Sequence, residues 1–300
     1  MAVGILSRRK CGLSNCTTCY LVAMATADLI VIMTEIILRR FRYYYYRNSG
    51  LLLHFLDITP MCSVLYVLHR AAIDCSVWFT ITFSFDRFVA ICCRKFVIKY
   101  CNQKTSFAVL VTTCILLCFK NLPFYFRFEA KMLINNVPWF CLNKPSYFTD
   151  PGWIGFKIID KILTPLIPFT LILLLNALTV RHILLASQVR AALRSQTNGR
   201  NCGDPEMENR RKSVMLLFTI SGSFILLWFV NVLYFFNITH HFDYNSFYIF
   251  EQCGYMLRNL NCCTNTFIYV VTQSKFRYQL KSAMKYPLKS IVRLINYQKP

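Results

Sequence analysis

Apolar residues in this chain are concentrated in six long stretches that polar segments separate. The stretches cover residues 20–38, 61–85, 106–126, 152–185, 213–236 and 246–271. Each approaches or exceeds the roughly 20 residues that an α-helix needs to cross about 30 Å of hydrocarbon. The pattern therefore predicts an all-α integral membrane protein, with residues 1–300 forming a single domain that crosses the bilayer six times.

The composition supports a membrane protein but adds an unusual charge. Hydrophobic residues make up 56% of the chain and charged residues only 16%, yet the formal net charge is +21. Soluble proteins carry about 25% charged residues, so an ordinary soluble domain is excluded. Two classes of protein combine apolar and basic character in this way: a membrane protein with basic loops, and a nucleic-acid-binding protein with an unusual core.

The distribution of positive charge decides between these two classes. Residues 7–19, 94–105, 181–212 and 273–300 together hold 21 Lys and Arg, whereas residues 39–60, 127–151 and 237–245 hold seven. Cytoplasmic loops are enriched in Lys and Arg, so the four basic segments and both termini are predicted to lie in the cytoplasm. No basic–aromatic module accompanies the charge, and we therefore expect no nucleic-acid partner.

The same topology predicts the loops and one disulfide. Residues 186–212 contain Asn198-Gly199 and Asp204-Pro205, which are typical of turns, and indicate a flexible third cytoplasmic loop. Residues 274–286 are predicted to form a basic amphipathic helix on anionic membrane lipid. The alternative is ordinary positive charge of a cytoplasmic segment, without a specific lipid. Of the 15 cysteines, Cys62 and Cys141 are clearly external and Cys253 lies near the outer surface, so the simplest hypothesis is one bridge between Cys62 and Cys141.

Several polar side chains fall inside the apolar stretches, where a charge is costly unless it is paired or hydrated. Asp28 lies in the middle of the first stretch, and Asp86-Arg87-Phe88 ends the second. The last stretch contains Asn261 and the run Asn265-Thr266-Phe267-Ile268-Tyr269, with Phe276 seven residues further on. We therefore treat each of these residues as a candidate functional residue, and not only as a residue that packs between helices.

These motifs together resemble those of the rhodopsin-like (class A) G-protein-coupled receptors. Asp86-Arg87-Phe88 is similar to the family's Asp-Arg-Tyr triplet, and the run from Asn265 to Tyr269 is similar to its Asn-Pro-x-x-Tyr motif. Trp228 and Pro168 match a sixth-helix tryptophan and a fifth-helix proline. Within the family, the stretches around Asp74, Trp228 and Cys262 resemble the group named probable G-protein-coupled receptor 139, whose members are thought to sense aromatic amino acids.

The resemblance implies a seven-transmembrane bundle with its first helix missing. We therefore expect residues 1–6 to be the inner end of that helix. It implies a multi-pass plasma-membrane receptor that binds a small extracellular agonist, activates a heterotrimeric G protein and performs no enzymatic reaction. Arg210 stands where the family often has an acid, so Asp86 is the expected partner of Arg87. Because an ion pair between Arg87 and an acid on the sixth helix is then missing, we expect raised basal signalling. The expected switch residues are Asp86, Arg87, Asn265 and Tyr269.

The outer half of the bundle is predicted to hold the ligand. His69, Arg70 and Asp74 lie within two helical turns, and Glu35 and Arg39, four residues apart, share a face of the helix that contains the first stretch. A small zwitterion would place its carboxylate on Arg70 or Arg258 and its amine on Asp74 or Asp160. Its ring would meet Trp228 or Phe235. The resemblance also implies ligand contacts at Asn231, Phe235 and Tyr255. The candidate ligand residues are His69, Arg70, Asp74, Trp228, Asn231, Phe235, Tyr255 and Arg258. The alternative is that these charges pair internally and hold the helices together.

A second candidate site lies deeper, around Asp28. The resemblance implies a sodium pocket formed by Asp28, Ser76, Asn261 and Asn265, and one carboxylate with neutral oxygens suits a small hard cation. The alternative is a hydrogen-bonded cluster without an ion. Apart from this sodium ion, we expect no cofactor.

Other functions fit the sequence less well. A transporter or channel could use intramembrane Asp, Arg and Asn, but the chain has no repeated halves. A membrane enzyme would need clustered His or carboxylates, and the five His are scattered between both sides. A truncated, non-signalling receptor fragment remains a third alternative.

Overall fold

The computed structural model describes residues 2–7, 13–41, 54–196, 205–236 and 244–283, and most of them are helical. Nine helices are labelled here in chain order. They are α1 (Ala2–Ser7), α2 (Asn15–Ile32, continued as a π-helix over Met33–Phe41), α3 (Thr59–Cys92), α4 (Gln103–Asn121), α5 (Pro151–Lys161), α6 (Ile167–Gln196), α7 (Pro205–Phe235), α8 (Tyr244–Thr272) and α9 (274–283).

Five helical segments in the described ranges are long and apolar enough to cross a membrane. They are Asn15–Arg40, Thr59–Cys92, Gln103–Arg127, Pro151–Gln188 and Val214–Leu233, and they coincide with the first five predicted stretches. Helix α8 covers the sixth stretch over 29 residues. It carries Glu251 and Arg258 within that length, and it is not among these five segments.

Local sequence explains where several helices begin. The Ser14 hydroxyl accepts a hydrogen bond from the Thr17 N–H at the start of α2, and the Asn102 amide oxygen accepts one from the Thr105 N–H at the start of α4. The Asp150 carboxylate does the same for α5, where Pro151 occupies the first helical position. Side-chain acceptors of this kind satisfy backbone donors that have no partner within the helix.

A bend separates α5 from α6 and shapes the outer half of the bundle. Residues Ile162–Leu166 form a π-helical turn that contains Pro165, and Thr164 leaves the helical conformation with φ −150° and ψ 90°. Proline has no N–H and its ring clashes with the preceding turn, so it opens the helix at this point. Pro168, the proline that the sequence motifs single out, follows the bend and lies inside α6.

Two predicted segments differ in extent from the structure. Helix α6 continues to Gln196 and α7 already begins at Pro205, so most of the segment predicted as a flexible loop is helical. Its Arg, Ala, Leu and Gln residues are strong helix formers, and they let both helices run on. The basic surface helix is described over residues 274–283, and residues 284–286 lie outside the described residues.

Helix α3 is the central element of the bundle. It packs against α2, α4, α6 and α7, and it is buried at many positions along its 34 residues. At the end that the charge distribution predicts to be cytoplasmic, the core includes Met24, Phe83 and Tyr269, and α1 adds Ile5 and Leu6 to this cluster. On the outer side the core gathers around Phe224 and Trp228. A ligand and a partner at opposite ends of the bundle would therefore both contact α3.

A β-hairpin that the sequence analysis did not predict covers the outer end of α3. Strands β1 (Phe128–Ile134) and β2 (Val137–Asn143) are antiparallel. The turn residues Asn135 and Asn136 have φ values of 52° and 60°. Two consecutive positive φ values are the signature of a type I′ turn, which asparagine tolerates. The sequence therefore did contain a hairpin signal, the dipeptide Asn135-Asn136, but this signal is only two residues long.

Three contacts attach this hairpin to the start of α3. The predicted Cys62–Cys141 disulfide is present, and Ile58 forms a β-bridge with Trp139. The Thr59 hydroxyl donates a hydrogen bond of 2.8 Å to the carbonyl oxygen of Phe140. Phe140 has a φ of 59°, an uncommon conformation for a bulky residue that these neighbouring contacts hold in place. The hairpin is thus a fixed wall of the outer bundle.

Candidate ligand and switch sites

A cavity of about 480 Å³ opens in the outer half of the bundle. Its walls come from the π-helical end of α2, from α3, from the residue before β1 and from α8. The lining residues are Arg39, Arg40, Tyr66, His69, Arg70, Arg127, Tyr248, Gln252, Tyr255 and Arg258. Four of the eight predicted ligand residues are among them: His69, Arg70, Tyr255 and Arg258. Five of the ten lining residues are arginines.

The other predicted ligand residues lie elsewhere in the described part of the chain. Asp74 is fully buried among α3, α4 and their neighbours and does not line the cavity. Trp228 stacks on Phe224 with ring centroids 5.4 Å apart, within the core below the cavity. The Asn231 amide donates a hydrogen bond of 3.1 Å to the Gly254 carbonyl and so joins α7 to α8. The side chain of Phe235 lies outside the described residues.

Both carboxylates predicted to bind a ligand amine already have cationic partners. Asp160 forms ion pairs with Arg70 and with Lys120. The Lys120 ammonium also lies 2.7 Å from Asp74, and the Asn121 amide donates a hydrogen bond of 2.7 Å to the same Asp74 oxygen. This arrangement is the internal pairing that we held as the alternative. It joins α3, α4 and α5 and gives both carboxylates a cation, and the second Asp74 oxygen is buried without a hydrogen-bond partner among the described residues.

A second charged cluster lies at the rim of the cavity. Glu35 is buried and binds both Arg39 and Arg40, while the His69 Nε2 atom lies 3.5 Å from its second oxygen. The Thr34 hydroxyl and His69 Nδ1 are 3.0 Å apart, within hydrogen-bond distance. The predicted Glu35–Arg39 pairing is therefore present, and one carboxylate serves two guanidinium groups.

Two arginines of the cavity have no carboxylate partner in the described part of the chain. Arg127 lies over the rings of Tyr66 and Tyr147, at 4.7 Å and 4.2 Å, and its Nε donates a hydrogen bond of 2.8 Å to Asn143. Arg258 lies 5.0 Å from the Tyr255 ring, and its buried Nε finds no acceptor among the described residues. Burial raises the pKa of the Tyr147 phenol, an effect that the nearby Arg127 opposes.

The sequence analysis missed two residues that matter at this site. Lys120 centres the ion-pair network, and Arg127 lines the cavity. Lys120 is a charged residue inside the third apolar stretch, so the rule that singled out Asp28 could have found it. Arg127 directly precedes the unpredicted hairpin, and no sequence signal placed it over the cavity.

The deeper polar cluster brings together three of the four residues that we predict to bind sodium. The Ser76 hydroxyl donates to one oxygen of Asp28 at 2.5 Å, and the Asn265 amide donates to the other at 2.9 Å. Asn261 is buried one turn earlier on α8, and its side-chain oxygen has no partner among the described residues. A carboxylate, a hydroxyl and an unused amide oxygen are oxygen ligands of the kind that a hard cation prefers, so the residues fit sodium.

The predicted Asp86–Arg87 pair lies at the end of α3 that we predict to be cytoplasmic. Arg87 is buried and bonded to the Asp86 carboxylate. The Cys16 thiol lies 3.0 Å from the other Asp86 oxygen, which ties the pair to α2. Tyr269 is fully buried and packs on Phe276 of α9 with ring centroids 5.9 Å apart. The side chain of Arg210 lies outside the described residues.

A comparison with known protein families agrees with the motifs, the helical bundle and the disulfide described above. The model of the family described as "7 transmembrane receptor (rhodopsin family)" matches residues 1–269. The chain belongs to this receptor family. The receptor is similar to atypical chemokine receptor 3 of Rattus norvegicus, with 24% identity over 290 residues that cover 91% of this chain and 72% of the relative. The Mus musculus protein of the same name is 23% identical with the same coverage.

Family membership indicates a multi-pass membrane receptor rather than an enzyme, and it favours a receptor over the transporter alternative. It does not identify the ligand. Neither of these relatives belongs to the probable G-protein-coupled receptor 139 group, so the placement of the receptor in that group stays a prediction.

Proposed function

We propose that the receptor binds a small extracellular ligand in the outer cavity and in response activates a heterotrimeric G protein at its cytoplasmic end. We place it in the plasma membrane, with the exposed Lys275, Arg277 and Lys281 of α9 facing anionic lipid. The buried Phe276 on the opposite side anchors α9 to the bundle. This arrangement is expected of a basic helix that lies along a membrane surface.

The observation that carries the proposal is the continuity of α3. One helix of 34 residues carries Tyr66, His69 and Arg70 at the cavity and Asp86-Arg87 at the other end. At 1.5 Å per residue, Arg70 and Arg87 are about 26 Å apart along this helix. A ligand that shifts the outer part of α3 therefore acts on the element that carries the switch residues, without a flexible link between them.

The cavity supports only half of the zwitterion prediction. Arg258 is available for a carboxylate, and Tyr66, Tyr248 and Tyr255 offer rings to an aromatic ligand. The carboxylates Asp74 and Asp160 are engaged by Lys120 and Arg70. An acidic ligand therefore fits the cavity better than an amino acid does.

The test is basal signalling, because it needs no ligand. Full-length receptor would be expressed with energy-transfer sensors for each G-protein class, and signalling would be compared at equal surface expression. We expect measurable basal activation that Arg87→Ala abolishes, because this arginine is the proposed contact of the G protein. Lys131→Ala is the matched control, since Lys131 is an exposed cation on the outer hairpin.

Two outcomes would count against the proposal. If neither the parent nor any variant activates a G protein despite normal surface expression, the non-signalling alternative is correct. If Arg87→Ala and Lys131→Ala have the same effect, Arg87 has no special role. Recruitment of arrestin without activation of a G protein would replace the proposed partner.

A further inference from the structure

The outer cavity carries more positive charge than its own carboxylates neutralise. Arg39 and Arg40 share the single carboxylate of Glu35. Arg70 shares Asp160 with Lys120. Within the described part of the chain, every carboxylate that pairs with a cavity arginine is thus shared between two cations.

Two further arginines have no carboxylate at all in the described ranges. Arg127 lies on the hairpin side of the cavity, and Arg258 lies on α8. Aromatic rings orient both guanidinium groups: Tyr66 and Tyr147 contact Arg127, and Tyr255 contacts Arg258. A guanidinium that is already oriented loses little conformational entropy when it binds a carboxylate through two parallel hydrogen bonds.

Burial adds a reason for these groups to bind an anion. The Nε atom of Arg258 is inaccessible to solvent and has no acceptor among the described residues, and the same is true of the Nε atom of Arg70. Arg70 already has Asp160 as its counter-ion, whereas Arg258 has no carboxylate partner in the described ranges. A charge without a counter-ion is costly where water is excluded, and binding an anion removes part of that cost. Together with the sharing of Glu35 and Asp160 between cations, the unpaired Arg258 favours a negatively charged ligand.

The size of the cavity selects a small molecule. A volume of about 480 Å³ lies within the range of roughly 300–1,000 Å³ that is usual for small-molecule sites. The tyrosines at positions 66, 248 and 255 provide flat apolar surface between the charged groups. These features fit a compact molecule with a ring and acidic groups at two ends.

We propose that the cavity binds a small organic dianion, with one acidic group on Arg258, the other on Arg127, and a ring against the tyrosines. This inference deepens the proposed function, because it names the ligand class of the receptor's outer site. It replaces the zwitterion with a ligand that carries no amine.

The test measures thermal stabilisation of the purified full chain in lipid nanodiscs, since a ligand that binds only the folded state raises the melting temperature. The probes share one ring: phenylsuccinate carries two carboxylates, phenyl phosphate carries a phosphate dianion, and 3-phenylpropionate carries one carboxylate. L-Phenylalanine is the zwitterion and phenethylamine the cation. We expect phenylsuccinate to stabilise most, 3-phenylpropionate less, and phenethylamine not at all. Phenyl phosphate tests whether a doubly charged single group can substitute for two carboxylates.

Three variants locate the binding site. Arg258→Gln and Arg127→Gln should each weaken phenylsuccinate binding at least about tenfold, because each removes a charge-assisted, bidentate contact. Lys131→Gln, which changes an exposed cation on the same side of the membrane, should leave binding unchanged. Without probe, Arg258→Gln should melt no earlier than the parent, since it removes a half-buried charge that has no carboxylate partner in the described ranges.

The proposal is overturned if no dianion raises the melting temperature, or if L-phenylalanine or phenethylamine stabilises as strongly as phenylsuccinate. It is also overturned if Arg258→Gln lowers the melting temperature without probe and leaves binding intact, since Arg258 would then have only a structural role. The two proposals can fail separately. If no dianion raises the melting temperature but basal signalling still depends on Arg87, the ligand class is rejected and the proposed function stands.

Discussion

The ammonium group of Lys120 on α4 lies 2.7 Å from the carboxylate of Asp74 on α3. Lys120 also binds Asp160 of α5, which in turn binds Arg70 of α3. Three helices thus meet in one buried network of two acids and two bases. Its members neutralise each other, which explains why the bundle tolerates so many charges at this depth.

Replacing Lys120 should destabilise the receptor. Lys120→Met leaves Asp74 with Asn121 as its hydrogen-bond partner and no cation, and removal of one partner from a buried pair typically costs about 3–5 kcal/mol. The melting temperature of purified receptor is the measurement. Asp74→Asn in the Lys120→Met background should recover part of the loss. The matched control is Lys104→Met at the exposed start of α4, and an equal loss in that control would contradict the role of the network.

Asp28→Asn distinguishes a sodium ion from a hydrogen-bonded cluster. We expect the parent to melt at a higher temperature in sodium chloride than in choline chloride, because sodium would bind only the folded state. The difference should vanish in Asp28→Asn, whose neutral amide is a poor ligand for a lone cation. Thr26→Val, an exposed change on the same helix, should preserve the difference. If the parent is indifferent to sodium, the cluster is a hydrogen-bonded contact alone.

Asp86→Asn should raise basal signalling. Asp86 holds Arg87 in the described structure, and the neutral amide weakens that charge-assisted contact, which frees Arg87 to face the cytoplasm. The measurement is G-protein activation at matched surface expression. Glu129→Gln on the outer hairpin provides the control for removal of an acid. Signalling that stays level or falls in Asp86→Asn would show that this pair does not restrain the receptor.

The thiol of Cys101 should react slowly at mildly alkaline pH. Cys101 lies in the segment between α3 and α4, where burial, assisted by the negative charge of Asp86, raises its pKa to about 11. An ordinary cysteine has a pKa of about 8.5, so at pH 8.5 Cys101 should hold roughly a hundredfold less thiolate. Because the folded state binds this proton more tightly, its contribution to stability is complete below the ordinary cysteine pKa. That contribution is lost as the pH rises through about 11.

Alkylation followed by mass spectrometry measures this protection. Receptor denatured in detergent provides the reference, because unfolding exposes the same thiol to water. Equal rates of Cys101 alkylation in folded and denatured receptor would contradict the expected protection.

The sequence predicted much of the fold because a helix that crosses the hydrocarbon core needs roughly 20 mainly apolar residues, and such stretches are visible in the sequence. Apolar length located five spans that the structure confirms, and the external cysteines at positions 62 and 141 predicted the disulfide. The hairpin was missed because its main signal, Asn135-Asn136, is two residues long and lies between strands that do not alternate cleanly in burial. The flexible loop predicted over residues 186–212 was too long, because α6 continues to Gln196 and α7 begins at Pro205. The turn-forming dipeptides favoured a loop there, although the neighbouring residues are strong helix formers.

Apolar length along the chain determined the position of the spans, and charge predicted the orientation and marked the residues worth attention, because these properties depend on local composition and length. Only the tertiary structure decided which charges meet. Lys120 neutralises Asp74 and Asp160 although 46 and 40 residues separate them in the chain, while Arg258 is left with a tyrosine ring. Pairing energy depends on distance in space, and that distance is set only when helices from different parts of the chain pack together.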